Sequence, residues 1–246
     1  VKGLEVYKGG IPAKYGGRLS SIVDIKMRDG NAKKFAAVGG IGTISSRLTL
    51  EGPIIKDKSS FMIAGRRSYA DIFLPLAPDE TIQNSKLFFY DLNLKANYEL
   101  SDKDRLYVSG YFGRDKFYAN IKESFDNESY KSDINFGWGN ATGTARWNHV
   151  VNPKLFSNTS FIYSFYELAI KAEEEENDQQ LFSLKYGSGI EDYSIKQDFD
   201  WYANNKHKVK FGVLATHHTF TPDALVITDA VFGENLNRKT EYKSIE

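Results

Sequence analysis

Hydrophobic and polar positions alternate along most of this chain with a period of two, the pattern of strands that present one face to each of two environments. The clearest stretch runs from Phe88 to Leu100. There Phe88, Tyr90, Leu92, Leu94, Ala96, Tyr98 and Leu100 share one face, and Phe89, Asp91, Asn93, Lys95, Asn97 and Glu99 the other. Leu106, Val108, Gly110 and Phe112 repeat the pattern against Tyr107, Ser109, Tyr111 and Gly113. Val209, Phe211, Val213 and Ala215 do so against Lys208, Lys210, Gly212 and Thr216. Followed along the chain, the alternation predicts strands near 36-52, 59-71, 86-100, 104-119, 132-151, 154-172, 187-202 and 206-221, with a ninth beginning near Lys239. Helical periodicity is nearly absent, and no run of about 18 apolar residues occurs, which removes transmembrane helices but not membrane-spanning strands.

The predicted connections alternate in length. Short polar turns fall at Lys56-Asp57-Lys58, Ser101 to Asp104, Asn152-Pro153-Lys154 and Asn204-Asn205-Lys206, all of turn-forming residue types. Longer stretches intervene at Leu74 to Ser85, Asn120 to Lys131, Ala172 to Tyr186 and Pro222 to Lys239. Tight turns at one end and long loops at the other, joined by strands longer than the ~5–6 residues of a globular sheet, predict an antiparallel transmembrane β-barrel. Tyr69, Tyr98, Tyr118, Tyr163, Tyr166 and Tyr202 fall near the predicted strand ends, where an aromatic girdle would sit.

The first thirty residues differ in kind. A short strand at Leu4 to Tyr7 enters a Gly turn, Pro12 to Gly17 is a loop, Leu19 to Met27 a second strand, and Asp29-Gly30-Asn31 a break. This places a domain boundary between 1-31 and 32-246. Val1 and the run after it carry no secretory signal, and the last residues begin a fresh alternation, so the expectation is a piece of a longer protein. Lys+Arg and Asp+Glu balance at 32 each, which removes the basic field that nucleic-acid binding needs. The absence of Cys removes disulfides and Cys-based metal sites.

Leu4 to Ile25, with Gly9, Tyr15 and Gly16 the best matches, resembles the last block of the plug in TonB-dependent outer-membrane transporters. Gly42 to Ile54 with Phe61 to Tyr69 resembles the opening barrel hairpin of the subgroup carrying a carboxypeptidase-regulatory-like N-terminal extension. Trp138 to Asn148 and Lys208 to Gly212 continue the likeness. Two positions depart from the family pattern: Gly10 stands where Pro is usual after Lys-Gly, and Leu19-Ser20-Ser21 replaces a Gly-Gly-Val. The resemblance implies the end of a plug followed by the first part of a barrel of about 22 strands. It also implies energy-coupled uptake of a siderophore, cobalamin, oligosaccharide or peptide across the outer membrane of a Gram-negative bacterium. The implied partners are the inner-membrane TonB complex, outer-membrane lipid, the nutrient and, in some members, a surface lipoprotein. A passive porin or small barrel protein without energy coupling is the alternative.

A barrel wide enough to hold a plug has a wet lumen, so the polar face should turn inward. Alternation assigns to it Arg47, Glu51, Arg66, Ser68, Asp91, Lys95, Glu99, Asn140, Thr142, Thr144 and Arg146. Of these, Arg47, Arg66, Asp91, Lys95 and Arg146, with Tyr15 and Arg18 from the plug stretch, are the candidates for plug or substrate contact; most polar lumen residues simply face water. Arg18 is a candidate to pair with wall carboxylates, with a plain solvated arginine the favoured alternative. No catalytic, cofactor or metal residues are assigned. Gly39-Gly-Ile-Gly-Thr lacks the Lys of a phosphate loop and is read as a strand, and adjacent His217 and His218 point to opposite faces. The acidic stretch 173–178 has ligand types suited to Ca²⁺, although like-charge runs are usually just solvated.

Overall fold

The computed structural model describes residues 2–16, 21–125 and 128–246, without the side chains of 123–125. The first two strands, β1 (Gly3–Tyr7) and β2 (Ile22–Lys26), pair antiparallel in a small sheet of their own. The remainder is one ten-stranded antiparallel sheet in which every strand pairs with its neighbours in sequence. Its members are β3 (Ala36–Ile41), β4 (Ser45–Ile55), β5 (Ser59–Ser68), β6 (Lys86–Glu99), β7 (Asp104–Phe125), β8 (Glu128–Asn152), β9 (Leu155–Glu176), β10 (Gln179–Asn204), β11 (His207–Asp229) and β12 (Glu234–Ile245). A 3-10 helix, Ala70–Leu76, and the single-turn α1, Glu80–Gln83, interrupt it between β5 and β6.

The short turns fall where the sequence places them, and local hydrogen bonds explain why. Asn152 and Asn204 each accept, through the side-chain oxygen, the backbone N–H two residues on, at 2.9 Å. Ser101 Oγ accepts the N–H groups of Lys103 and Asp104 at 3.2 and 3.1 Å. These side chains close the turn that the backbone alone would leave unpaired.

The opposite end departs from expectation. The stretch read as one strand over 36-52 is a hairpin, β3 and β4, turning at 42–44, and with the ninth strand this makes ten in the sheet. The predicted long loops at 120–131, 172–186 and 222–239 are mostly strand. β9 and β10 meet at Asn177-Asp178, both with positive φ, and β11 and β12 at 230–233, closed by Gly233 at φ 67°. Residues 126 and 127 lie outside the described set. Polar sequence does not prevent pairing here, because each backbone group finds a cross-strand partner and charged side chains pair across the ladder, as Lys131 does with Glu175 and Asp178. Only Leu74 to Ser85 remains a long connection.

The two faces of the sheet are chemically distinct. Cross-strand register aligns Leu50, Ile63, Leu94, Gly110, Gly143, Tyr163 and Tyr193 in one row, with Phe61, Ala96, Val108, Ala145, Phe161, Ile195 and Ala215 in the next. Among the described residues nothing covers this face: Phe161 is 59% and Val213 72% exposed. Among the described residues only Met62 and Ala119 are buried hydrophobics. A soluble sandwich needs a dry layer between two sheets, and among the described residues no second layer packs on this sheet.

Candidate functional site

Register places Arg47, Arg66, Asp91 and Asn140 in one row of the polar face, and Glu51, Met62, Lys95 and Thr144 in another. Asn97, Tyr107 and Arg146 form a third. All the polar-face residues assigned by alternation therefore share one side of the sheet. Arg66 donates to Asp91 at 2.7 Å and lies 5.0 Å from the Phe89 ring centre. Arg146 sits 4.6 Å from the Tyr107 ring centre, with Lys95 5.8 Å from the same ring. Arg47 and Arg66 are directly opposed across β4 and β5.

The segment leaving β2 lies on this face. Lys95 Nζ donates to the Met27 carbonyl at 2.8 Å and pairs with Asp29 at 2.8 Å, and Arg28 pairs with Glu51 at 2.7 Å. A Cβ built on Gly30 would stand 2.0 Å from the Phe61 carbonyl oxygen, so only glycine allows this approach. Met62 beside it is 3% exposed, although its neighbours in the row are polar. The Asp57 N–H donates to the Ala32 carbonyl at 2.9 Å, fixing the segment to the β4–β5 turn before it enters β3. Residues 27–32 are thus tied down by two ion pairs, two backbone contacts and one close backbone packing.

Tyr15 is held within the small sheet. Its hydroxyl donates to Asp24 at 2.6 Å, its ring packs 5.6 Å from that of Tyr7, and Lys14 lies 4.3 Å from its ring centre. Burial, and then the bond to the Asp24 carboxylate, push its hydroxyl pKa up to about 12. Arg18 lies outside the described residues; among those described, a wall carboxylate is paired instead by Arg28. Of the described plug-stretch glycines, Gly9, Gly10 and Gly16, Gly10 has the positive φ, 59°.

At its edges the apolar face is bounded by polar groups that aromatic side chains reach. Near the short turns the Trp147 indole donates to Asp104 at 2.9 Å. At the far edge Tyr163 and Tyr193 donate to Glu191 at 3.2 and 2.9 Å, and Arg114 pairs with Glu167. The predicted girdle is corrected in its membership. Tyr98 and Tyr163 are on the apolar face; Tyr166 and Tyr202 are on the polar one, Tyr118 lies beyond the band, and Tyr69 is off the strands. β7 and β9 extend beyond their predicted ends, so Tyr118, Tyr163 and Tyr166 are interior, whereas Tyr98 and Tyr202 do lie near the ends of β6 and β10. Glu173 to Glu176 lie on β9, where alternation sends successive carboxylates to opposite faces, and Lys171 and Lys131 pair with Glu173 and Glu175.

Sequence reasoning missed Asp29 and Gly30 as contact residues. Asp29-Gly30-Asn31 read as a chain break, whereas a glycine between two strands also signals close backbone approach.

No family model matches this chain, and no curated protein matches it. Among solved structures, the crystal structure of the ferric yersiniabactin uptake receptor FyuA from Yersinia pestis aligns with a TM-score of 0.56 at 9% identity. The alignment covers 82% of this chain and 33% of that one, so the chain spans about a third of that receptor's length. At such identity the likeness is one of fold: the ten-stranded antiparallel sheet is similar to part of a β-barrel receptor.

Proposed function

We propose that this chain is part of a TonB-dependent outer-membrane transporter, with residues 1–31 the end of its plug and 32–246 the first part of its barrel. One observation carries the reading. The segment 27–32 lies against the polar face of a sheet whose opposite face is an uncovered apolar band. A passive pore gives no reason for a chain segment clamped to its inner wall.

The band has the dimensions that lipid requires. On β7 the apolar face runs from Asp104 to Arg114, ten residue steps of ~3.3 Å, or roughly 33 Å along the strand. At a tilt of ~45° that spans roughly 23 Å of membrane normal, against an apolar belt of ~25 Å for outer-membrane barrels. Strands such as β8, with 25 residues, continue far beyond it as hairpins in water. In this reading Arg47, Arg66, Asp91 and Arg146 line the lumen and meet plug or substrate, while Lys95 holds the plug's exit segment. Tyr15 and Arg18 belong to the plug. The partners are the inner-membrane TonB complex, outer-membrane lipid, a scarce or large nutrient (siderophore, cobalamin, oligosaccharide or peptide) and, in some systems, a surface lipoprotein.

Planar-bilayer conductance of the full-length protein tests the reading. The expected result is a membrane-inserted protein passing little current until denaturant displaces the plug. A steady open-pore conductance from the native protein contradicts energy-coupled transport and returns the passive pore.

A further inference from the structure

Just beyond the far edge of the apolar band, and on the same face, four cations surround an aromatic ladder. Phe88 and Tyr90 stack with centroids 6.4 Å apart, and Tyr90 continues to Phe112 at 5.9 Å. The Arg67 guanidinium lies 5.2 Å from the Phe88 ring centre. Lys116 stands directly opposite Phe88 and Arg114 opposite Tyr90, while Lys86 precedes Phe88 by two residues on the same face. Arg114 is paired with Glu167. Arg67, Lys86 and Lys116 are exposed and have no carboxylate partner among the described residues.

Like charges gathered on one face repel unless an anion joins them. The cations are densest on β5, β6 and β7: further along the sheet on the same face come Glu167 and Glu191, and in the row of Lys86 come Lys171, paired with Glu173, and Lys185. Directly below lie Leu92 and Leu94, then Phe112 and Gly110 of β7, and beyond these β8 presents Ala141, Gly143 and Ala145 to the same side. An added Cβ on Gly143 would meet nothing within 4 Å, so this strip is a shallow trough rather than a packed surface. Cations above and a smooth apolar trough below have the polarity of a phospholipid, headgroup up and chains down.

We propose that Arg67, Lys86 and Lys116 bind the phosphate of a membrane lipid whose acyl chains lie along Leu92, Leu94 and the small residues of β8. This rests on the assignment of the apolar face to lipid under the proposed function. Free phosphate would be served by the cations alone, and the continuity with the trough selects the lipid.

The test uses the full-length protein folded in dodecyl maltoside, titrated with fluorescent phosphatidic acid and, separately, with fluorescent phosphatidylcholine. Phosphatidic acid should bind more tightly, and the triple variant R67A/K86A/K116A should weaken it at least about tenfold while leaving phosphatidylcholine unchanged. A K154A/K206A control at the short-turn end should bind like wild type. Equal affinity for the two lipids, full retention of binding by the triple variant, or complete displacement by inorganic phosphate at matched ionic strength overturns the lipid site. Those results leave the transporter reading standing. A wild-type protein that has no strand structure in detergent sinks that reading, and the lipid site with it.

Discussion

Gly30 packs against the Phe61 carbonyl so closely that an added Cβ would stand 2.0 Å from the oxygen. A backbone atom cannot swing aside as a side-chain end can, so G30V must lift the 27–32 segment off the sheet. The expected cost is about 1–3 kcal/mol. Trypsin should then cut at Lys26 and Arg28 several times faster than in wild type, with the barrel strands still protected. Unchanged cleavage contradicts the close packing.

Lys95 is 12% exposed at its side chain and holds both the Met27 carbonyl and the Asp29 carboxylate. Partly removed from water, such a pair is coupled more strongly than a surface ion pair. A double-mutant cycle with K95M and D29N, read by urea unfolding in detergent, should give a coupling of about 1–2 kcal/mol. A value near zero means that the contact adds nothing to the docking of the segment.

The Tyr15 hydroxyl, held up to about 12 by burial and by the Asp24 carboxylate, is raised above its unfolded value of ~10. Its contribution to stability is complete below pH ~10 and is lost as pH rises through about 12. Tyrosinate absorbance, taken as the difference between wild type and Y15F, should titrate near 12. In D24N the midpoint should fall only part of the way, because burial is the larger cause. A midpoint at ~10 in wild type refutes the buried contact.

The period of two made the two faces legible before the structure: every residue assigned to the polar face from Arg47 to Arg146 lies there. The protruding hairpins were not legible, because a strand in water on both sides has no apolar face and reads as loop. The run Glu173 to Glu176 is the plainest case, since its strand is held by backbone pairing and by Lys131 and Lys171 rather than by burial. The β3–β4 turn was hidden because Thr43 and Ile44 carry no turn signal. The contact of residues 27–32 with the sheet was invisible for another reason: it joins residues 68 apart in sequence at Lys95 and Met27, and only the register of β5 and β6 brings them together.

The β9–β10 turn places Asn177 at φ 50° and Asp178 at φ 63°. Asn and Asp tolerate that region, and a β-branched residue does not. N177V should loosen the hairpin tip by about 1–2 kcal/mol, and N177G should hold it. Amide exchange at residues 173–182 should accelerate roughly tenfold in the first variant, leaving 155–165 unchanged. Equal exchange in the two variants argues against the tight turn.

In the proposed transporter, alternate side chains on each strand face lipid and a plugged aqueous interior. This chain has no Cys, so with any cysteine elsewhere in the full-length protein replaced, each introduced cysteine is the sole labelled position. Spin labels placed one at a time at positions 192 to 197 of β10, in the full-length protein in bilayers, measure access to oxygen and to a water-soluble nickel chelate. Positions 193 and 195 should favour oxygen, and 192, 194 and 196 should not. Collision with neither reagent at 193 and 195, as in a dry packed core, contradicts the account.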